Sequence, residues 1–154
     1  MFPLLLTLLA PTSADNPEPL GMSKAVLCAE VRGYHDYTPV AEPVLVRDEK
    51  LKLYYEPTRY KVSRTKTHAT VHLTQDAKIR RRGEKAVLWS KADMVNYEVT
   101  VKHPDQPVYI SNVISLKPLP PGDYDLELIL RDKLAKDVEA RQVVPFAVKA
   151  STAK

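Results

Sequence analysis

The chain has 154 residues, enough for a single domain with a hydrophobic core. Hydrophobic residues make up 44% of it and proline is abundant, with 13 residues, a composition typical of a folded all-β protein and unlike that of a disordered chain. The formal net charge of +4 is too small to indicate a dedicated nucleic-acid-binding protein, so no specific nucleic-acid partner is expected.

The N-terminus combines an export signal with a polar linker. Residues 2–10 are apolar but too few to span a bilayer, and Thr12-Ser13-Ala14 supplies the small residues of a cleavage site. We predict a signal peptide over 1–14, a linker over 15–24 and a secreted or periplasmic mature protein without a transmembrane segment. No Lys or Arg precedes the apolar run, so a truncated start, a start at Met22 and a non-cleaved or cytosolic form are alternatives.

Apolar residues at period two predict strands along residues 25–150, which we assign to one β-domain, followed by a disordered tail over 151–154. Leu51, Leu53 and Tyr55, for example, share one face of a strand. No segment keeps a helical apolar period over three turns. The predicted strands cover 25–32, 49–56, 67–75, 85–90, 95–102, 108–116, 125–132 and 140–149.

Several positions between or within these strands lead to specific expectations. Residues 34–39 are predicted as a loop, and the charged residues 80–84 as a turn. Trp89 is a candidate core residue. Asn112 is polar on the apolar face of its strand, and Pro145 within the last strand implies an edge position or a bulge.

The most informative pattern is the turn Leu119-Pro120-Pro121-Gly122, which leads into Tyr124 and the strand after it. Tyr124, Leu126, Leu128 and Leu130 alternate with mostly charged residues, so one face of this strand is expected to be buried.

This pattern resembles the tyrosine corner of immunoglobulin-like and fibronectin type III domains, in which the Tyr hydroxyl hydrogen-bonds to the backbone just upstream. The resemblance, to secreted bacterial domains of this kind, covers residues 108–149. It implies an all-β, immunoglobulin-like antiparallel β-sandwich of about 7–8 strands, in which Gly122, Tyr124 and Trp89 are structural. The Cys…Trp…Cys pattern of antibody domains is absent, since Cys28 is the only cysteine.

No catalytic, cofactor or metal site is predicted. The four glycines are scattered, so no phosphate-binding loop can form locally, and Cys28 lies in a strand rather than at a helix N-terminus. His68 and His72 share a face, but the intervening strand separates them by about 13 Å, whereas one zinc ion needs its two nitrogens within about 4.2 Å of each other. A small hydrolase or a metal-site protein is therefore the least favoured class.

Tyr34, His35, Tyr37 and Tyr54 form the first candidate binding surface. If their segments are arranged as predicted, Tyr54 and Tyr55 point to opposite faces of a strand, so we expect Tyr55 in the core and Tyr54 exposed beside Tyr34 or Tyr37. Exposed tyrosines suit a protein partner or a sugar ring. The alternative is ordinary packing of these tyrosines within a sandwich.

Arg80, Arg81 and Arg82 form the second candidate binding surface. If a further basic stretch, residues 59–66, lies close to them, the two would make a patch that attracts phosphate, sulfate or carboxylate groups. The alternative is a solvated hairpin tip.

These features favour a non-catalytic interaction or accessory domain without a cofactor, which binds a protein or a cell-envelope partner. Binding would depend on surface complementarity at a loop end or an edge strand, with no covalent step. A module that binds carbohydrate or an anionic polymer through exposed Tyr and Arg is the alternative.

Overall fold

The computed structural model describes residues 19–102, 107–136 and 138–151. Within these residues the protein is all-β, with twelve strands in three sheets and no helix, so none that could cross a membrane. The all-β class predicted from the sequence is thereby confirmed. The strands are β1 (Gly21–Met22), β2 (Val26–Gly33), β3 (Asp36–Pro39), β4 (Val44–Val46), β5 (Lys50–Tyr55), β6 (Pro57–Thr58), β7 (Ser63–Arg64), β8 (Ala69–Arg81), β9 (Val87–Val101), β10 (Ile110–Ser115), β11 (Gly122–Asp132) and β12 (Val138–Lys149).

Two of the sheets contribute to one hydrophobic core. The four-stranded sheet has the order β10-β5-β2-β3, and the six-stranded sheet has the order β4-β12-β11-β8-β7, with β9 also paired to β8. Among the described strands every pairing is antiparallel except that of β12 with β4. The small third sheet consists of β1 and β6.

The core is built from the strand faces that the period-two pattern marks as apolar. Leu51, Leu53 and Tyr55 of β5 and Leu126 of β11 are each 0% exposed and belong to one cluster. Burial of each such side chain stabilises the fold by about 1.5–3 kcal/mol. Trp89 packs against this cluster but is only partly buried, so it lies at the margin of the core.

A buried group of three polar side chains joins the two large sheets. The Tyr55 hydroxyl donates to Gln75 Oε1 at 2.8 Å, Gln75 Nε2 donates to Asn112 Oδ1 at 2.8 Å, and Asn112 Nδ2 donates back to Gln75 Oε1 at 2.9 Å. Burial raises the pKa of the Tyr55 hydroxyl, which therefore stays protonated as a donor. The pairing with Gln75 explains why a polar residue occupies position 112 on an otherwise apolar strand face.

The turn before β11 has the hydrogen bond predicted for a tyrosine corner. The Tyr124 hydroxyl donates to the backbone carbonyl of Pro120. Gly122 has a φ of 157°, and a Cβ built there would lie 2.7 Å from Nη1 of Arg81. The guanidinium of Arg81 in turn lies 5.4 Å from the centre of the Tyr124 ring. Gly122 and Tyr124 therefore both contact Arg81 at the end of β8.

Pro145 occupies an edge, as its position in the sequence predicts. β4 pairs only with Ala147, Val148 and Lys149 of β12, so at Pro145 no described strand pairs with that side of β12. The Ala147 N–H donates to the Pro43 carbonyl on the same side, and backbone groups two residues apart point the same way. The N–H that proline lacks is therefore missing from the open edge and not from the ladder with β11.

The local predictions were wrong where long-range pairing continues a strand. Residues 34–39 are not a loop, because the chain turns at Tyr34 and His35 and continues as β3. The predicted turn over 80–84 is shorter, because β8 pairs with β11 as far as Arg81. The reversal follows at Arg82 and Gly83, where Gly83 has the φ of 82° that favours glycine.

The segments predicted as two strands, 85–90 and 95–102, form the single strand β9. An irregularity in the β8–β9 register interrupts it near Asp93, which has a φ of 47°. The Asp93 N–H donates to Oδ1 of Asp76 at 2.8 Å. Since a carboxylate on β8 binds the displaced backbone, the strand continues through the bulge instead of ending.

The segment predicted as a linker, 15–24, contains β1, which pairs with β6, and the preceding residue Leu20 is buried. The predicted signal peptide and most of the predicted C-terminal tail, residues 152–154, lie outside the described residues.

Candidate functional site

The structure brings all four residues of the first candidate surface together. We call the group formed by Tyr34, His35, Tyr37, Tyr54 and Tyr109 the tyrosine cluster. The Tyr34 and His35 rings stack at 4.0 Å, Tyr37 stacks on Tyr54 at 4.3 Å, and Tyr54 stacks on Tyr109 at 5.5 Å. A tilted contact at 6.5 Å between Tyr34 and Tyr109 joins the two stacks. Such ring geometries add about 0.5–1.5 kcal/mol per pair to area burial.

Strand pairing positions these rings. Tyr37 lies on β3 and Tyr54 on β5, with β2 between them in the sheet. On the other side of β5, Tyr54 is in register with Ser111, two residues after Tyr109. Because side chains two residues apart share a face, Tyr109 lies on the same face of the sheet as Tyr54. The cluster is thus fixed by the sheet beneath it.

The turn that carries Tyr34 and His35 is tied to this layer through its backbone. His35 has a φ of 56°, a conformation that is unfavourable for a residue with a side chain. Its N–H donates to the Tyr54 hydroxyl at 3.1 Å, which helps to hold the turn over the stacked rings.

The sequence predicted an exposed Tyr54, and this was wrong, because Tyr54 is buried. Only 2% of it is accessible, since Tyr37 and Tyr109 cover its ring. Desolvation raises the pKa of Tyr54 to about 12. Tyr34, at 42% exposed, and His35, with 64% of its side chain exposed, form the outer surface of the cluster.

Glu56 also belongs to the site, although the sequence did not lead us to predict it. Its Oε1 lies 2.6 Å from Nε2 of His35 and accepts a hydrogen bond from the Tyr54 hydroxyl at 2.8 Å. Glu56 follows Tyr54 at the period-two spacing, a signal that could have placed it on this face. Tyr109 was missed because its place depends on the pairing of β5 with β10, which no local pattern shows.

A groove of about 290 Å³ adjoins the cluster and shares Tyr109 with it. Its walls come from β9 and from the segment that leads into β10. Desolvation raises the pKa of Tyr97 on the β9 wall. The lining residues are Val95, Tyr97, Pro107, Tyr109, Ile110 and Ser111.

The arginines of the second candidate surface are engaged in contacts within the fold. Arg80 Nη1 lies 2.7 Å from Oε2 of Glu127, and Arg81 packs over Tyr124. Arg82 lies 3.4 Å from Asp125 and donates to the carbonyls of Tyr124 and Phe146. These contacts favour a structural role for the three side chains over an open anion-binding surface.

Arg64, in the second basic stretch, lies far from these arginines. Arg64 is in register with Ala69 at the start of β8, and Arg80 lies eleven residues further along the same strand. That separation is about 36 Å in an extended strand. Arg64 and Arg80 therefore do not form a single patch.

The remaining candidate reactive side chains are not grouped together. His68 Nδ1 contacts the Thr67 hydroxyl at 2.8 Å, and His72 Nε2 contacts Oδ1 of Asn96 at 3.0 Å. Cys28 is buried, which raises the pKa of its thiol and favours the unreactive protonated form. Among the described residues, no three His, Cys, Asp or Glu side chains are grouped to hold a metal ion.

No protein-family model matches the chain, and no curated protein matches it. The geometry of the tyrosine cluster is therefore the basis for assigning a function.

Proposed function

We propose that this protein is a non-catalytic interaction domain that binds a protein or a cell-envelope polymer through the tyrosine cluster. The observation that carries this proposal is the assembly of five rings from three separate parts of the chain into one layer, with Tyr34 and His35 facing solvent. Tyrosine offers a large, rigid contact area at a low cost in side-chain entropy, which makes it a frequent anchor in binding surfaces.

We further propose that the domain is an exported, immunoglobulin-like β-sandwich. The sharing of one core by two sheets and the hydrogen bond from Tyr124 to Pro120 support the fold. The apolar run over 2–10, followed by Thr12-Ser13-Ala14, supports export.

Binding through arginines is the weaker alternative. Arg80 and Arg82 have carboxylate partners, so an incoming anion would have to compete with Glu127 and Asp125 for them.

The proposal is tested by capture on the immobilised full chain from an extract of the cell envelope. Tyr34→Ala should weaken capture about 5-fold or more, since an anchor residue contributes at least about 1 kcal/mol. Val143→Ala is the matched control, because Val143 is 56% exposed on β12, outside the cluster. Equal capture by wild type, Tyr34→Ala and Val143→Ala would refute binding at this surface.

A further inference from the structure

The hydroxyls in and around the site differ in whether the fold already binds them. Those of Tyr54, Tyr55 and Tyr124 are bonded within the fold. Those of Tyr34 and Tyr109 form no hydrogen bond with another described residue, and neither do those of Tyr97 and Ser111 on the groove walls. The cluster and the groove therefore present ring surface together with hydroxyls that have no partner among the described residues, which we call open hydroxyls.

The surroundings of the cluster are polar. The exposed large apolar side chains Val87, Leu88, Val138 and Val143 lie on β9 and β12 of the six-stranded sheet. Beside the cluster, β10 alternates two exposed serines with one exposed valine, Val113. A protein hot spot is usually enclosed by further contacts that exclude water, over about 800 Å² on each partner. A small layer of rings among hydroxyl groups fits a hydroxylated ligand better.

The groove fits a ligand built from small rings. Its volume of about 290 Å³ is just below the range of about 300–1,000 Å³ found for small-molecule sites. Because it shares Tyr109 with the cluster, a ligand of linked rings could contact both places at once.

The charge of the site argues for a neutral ligand. The Glu56 carboxylate is 26% exposed and lies 2.6 Å from Nε2 of His35. A uronate or sulfate group placed on Tyr34 would approach this carboxylate, and like charges in one site oppose binding.

On the basis of the function proposed above, we infer that the ligand is a neutral polysaccharide. One sugar ring packs its C–H face on the layer formed by Tyr34 and His35, where contact between apolar surfaces and dispersion attraction stabilise it. A second ring lies in the groove between Tyr97 and Tyr109, with its hydroxyls bonded to the open hydroxyls of the site.

The test is titration calorimetry of the full chain with cellohexaose, chitohexaose and, as the anionic probe, oligogalacturonate. Binding of a neutral hexasaccharide should weaken about 2- to 12-fold in Tyr34→Ala and in Tyr109→Ala, the range expected for loss of one aromatic contact. Tyr34→Phe keeps the ring and should retain most of the affinity, and Val143→Ala should match wild type. Circular dichroism and thermal melting establish that each variant is folded.

Two results would overturn the inference while leaving the proposed function intact. One is the absence of binding to both neutral hexasaccharides together with Tyr34-dependent capture of an envelope protein. The other is tighter binding of oligogalacturonate than of either neutral probe. If neither the sugars nor the captured material respond to Tyr34→Ala, the proposed function fails as well.

Discussion

Replacement of Asn112 by alanine is expected to lower the free energy of unfolding by about 2–6 kcal/mol. The change removes both hydrogen bonds between Asn112 and Gln75, each with a net contribution of about 0.5–1.5 kcal/mol. It also leaves Nε2 of Gln75 without its acceptor at a position that is 0% exposed, which costs about 1–3 kcal/mol more. For a domain whose total stability is about 5–15 kcal/mol, this is a large fraction.

Tyr55→Phe provides the comparison, because it removes one hydrogen-bond donor and leaves no polar atom without a partner. Gln75 Oε1 still accepts from Asn112 in that variant, so the loss should be only about 0.5–1.5 kcal/mol. Urea unfolding at equal m-values measures both losses, with Ser111→Ala on the exposed face of β10 as the control. If Asn112→Ala destabilises no more than Tyr55→Phe, the network does not join the sheets in the way described.

Three further substitutions test other parts of the fold. Tyr124→Phe removes the hydroxyl that donates to Pro120 and should cost about 1 kcal/mol in urea unfolding; an unchanged midpoint would show that the corner bond contributes nothing. For Asp76, burial favours the protonated form, but the hydrogen bonds from Arg131 and from the Asp93 N–H outweigh it, so the pKa is lowered. The stabilisation by Asp76 is therefore complete above its unfolded pKa of about 3.9 and is lost as the pH falls through its lower folded pKa. Asp76→Asn should be less stable than wild type at pH 7 and should approach it under strongly acidic conditions, whereas a gap independent of pH would contradict this. Arg82→Ala should cost less than about 1 kcal/mol, since the side chain is 46% exposed and its ion pair with Asp125 is long, at 3.4 Å, and should leave ligand affinity unchanged; weaker binding by the folded variant would show that the arginines belong to the binding site.

Patterns within one strand were sufficient to predict the β-class, the apolar faces and the corner at Tyr124. The alternation in β5 and β11 reflects burial on one side, so it is visible in any short window of the sequence. The grouping of Tyr34, His35 and Tyr37 with Tyr54 could be anticipated because three of the four are nearly consecutive.

What the sequence analysis missed depends on pairing between distant segments. Tyr54 is buried because the pairing of β5 with β10 brings Tyr109 over it. Arg80 is engaged because β11 places Glu127 beside it. Neither neighbour can be inferred from a local window, since the register that sets them is a property of the assembled sheets.

The bulge in β9 also affects the tendency of the protein to aggregate at high concentration. β9 has fifteen residues and pairs with β8 along one side, while no described strand pairs with its other side. A regular edge of that length would offer a row of free N–H and C=O groups to the same edge of another molecule, a common start of aggregation. The turn of the backbone at Asp93 breaks this row in its middle and places a charge there. By holding the bulge, Asp76 therefore also disfavours edge-to-edge pairing of β9 between molecules.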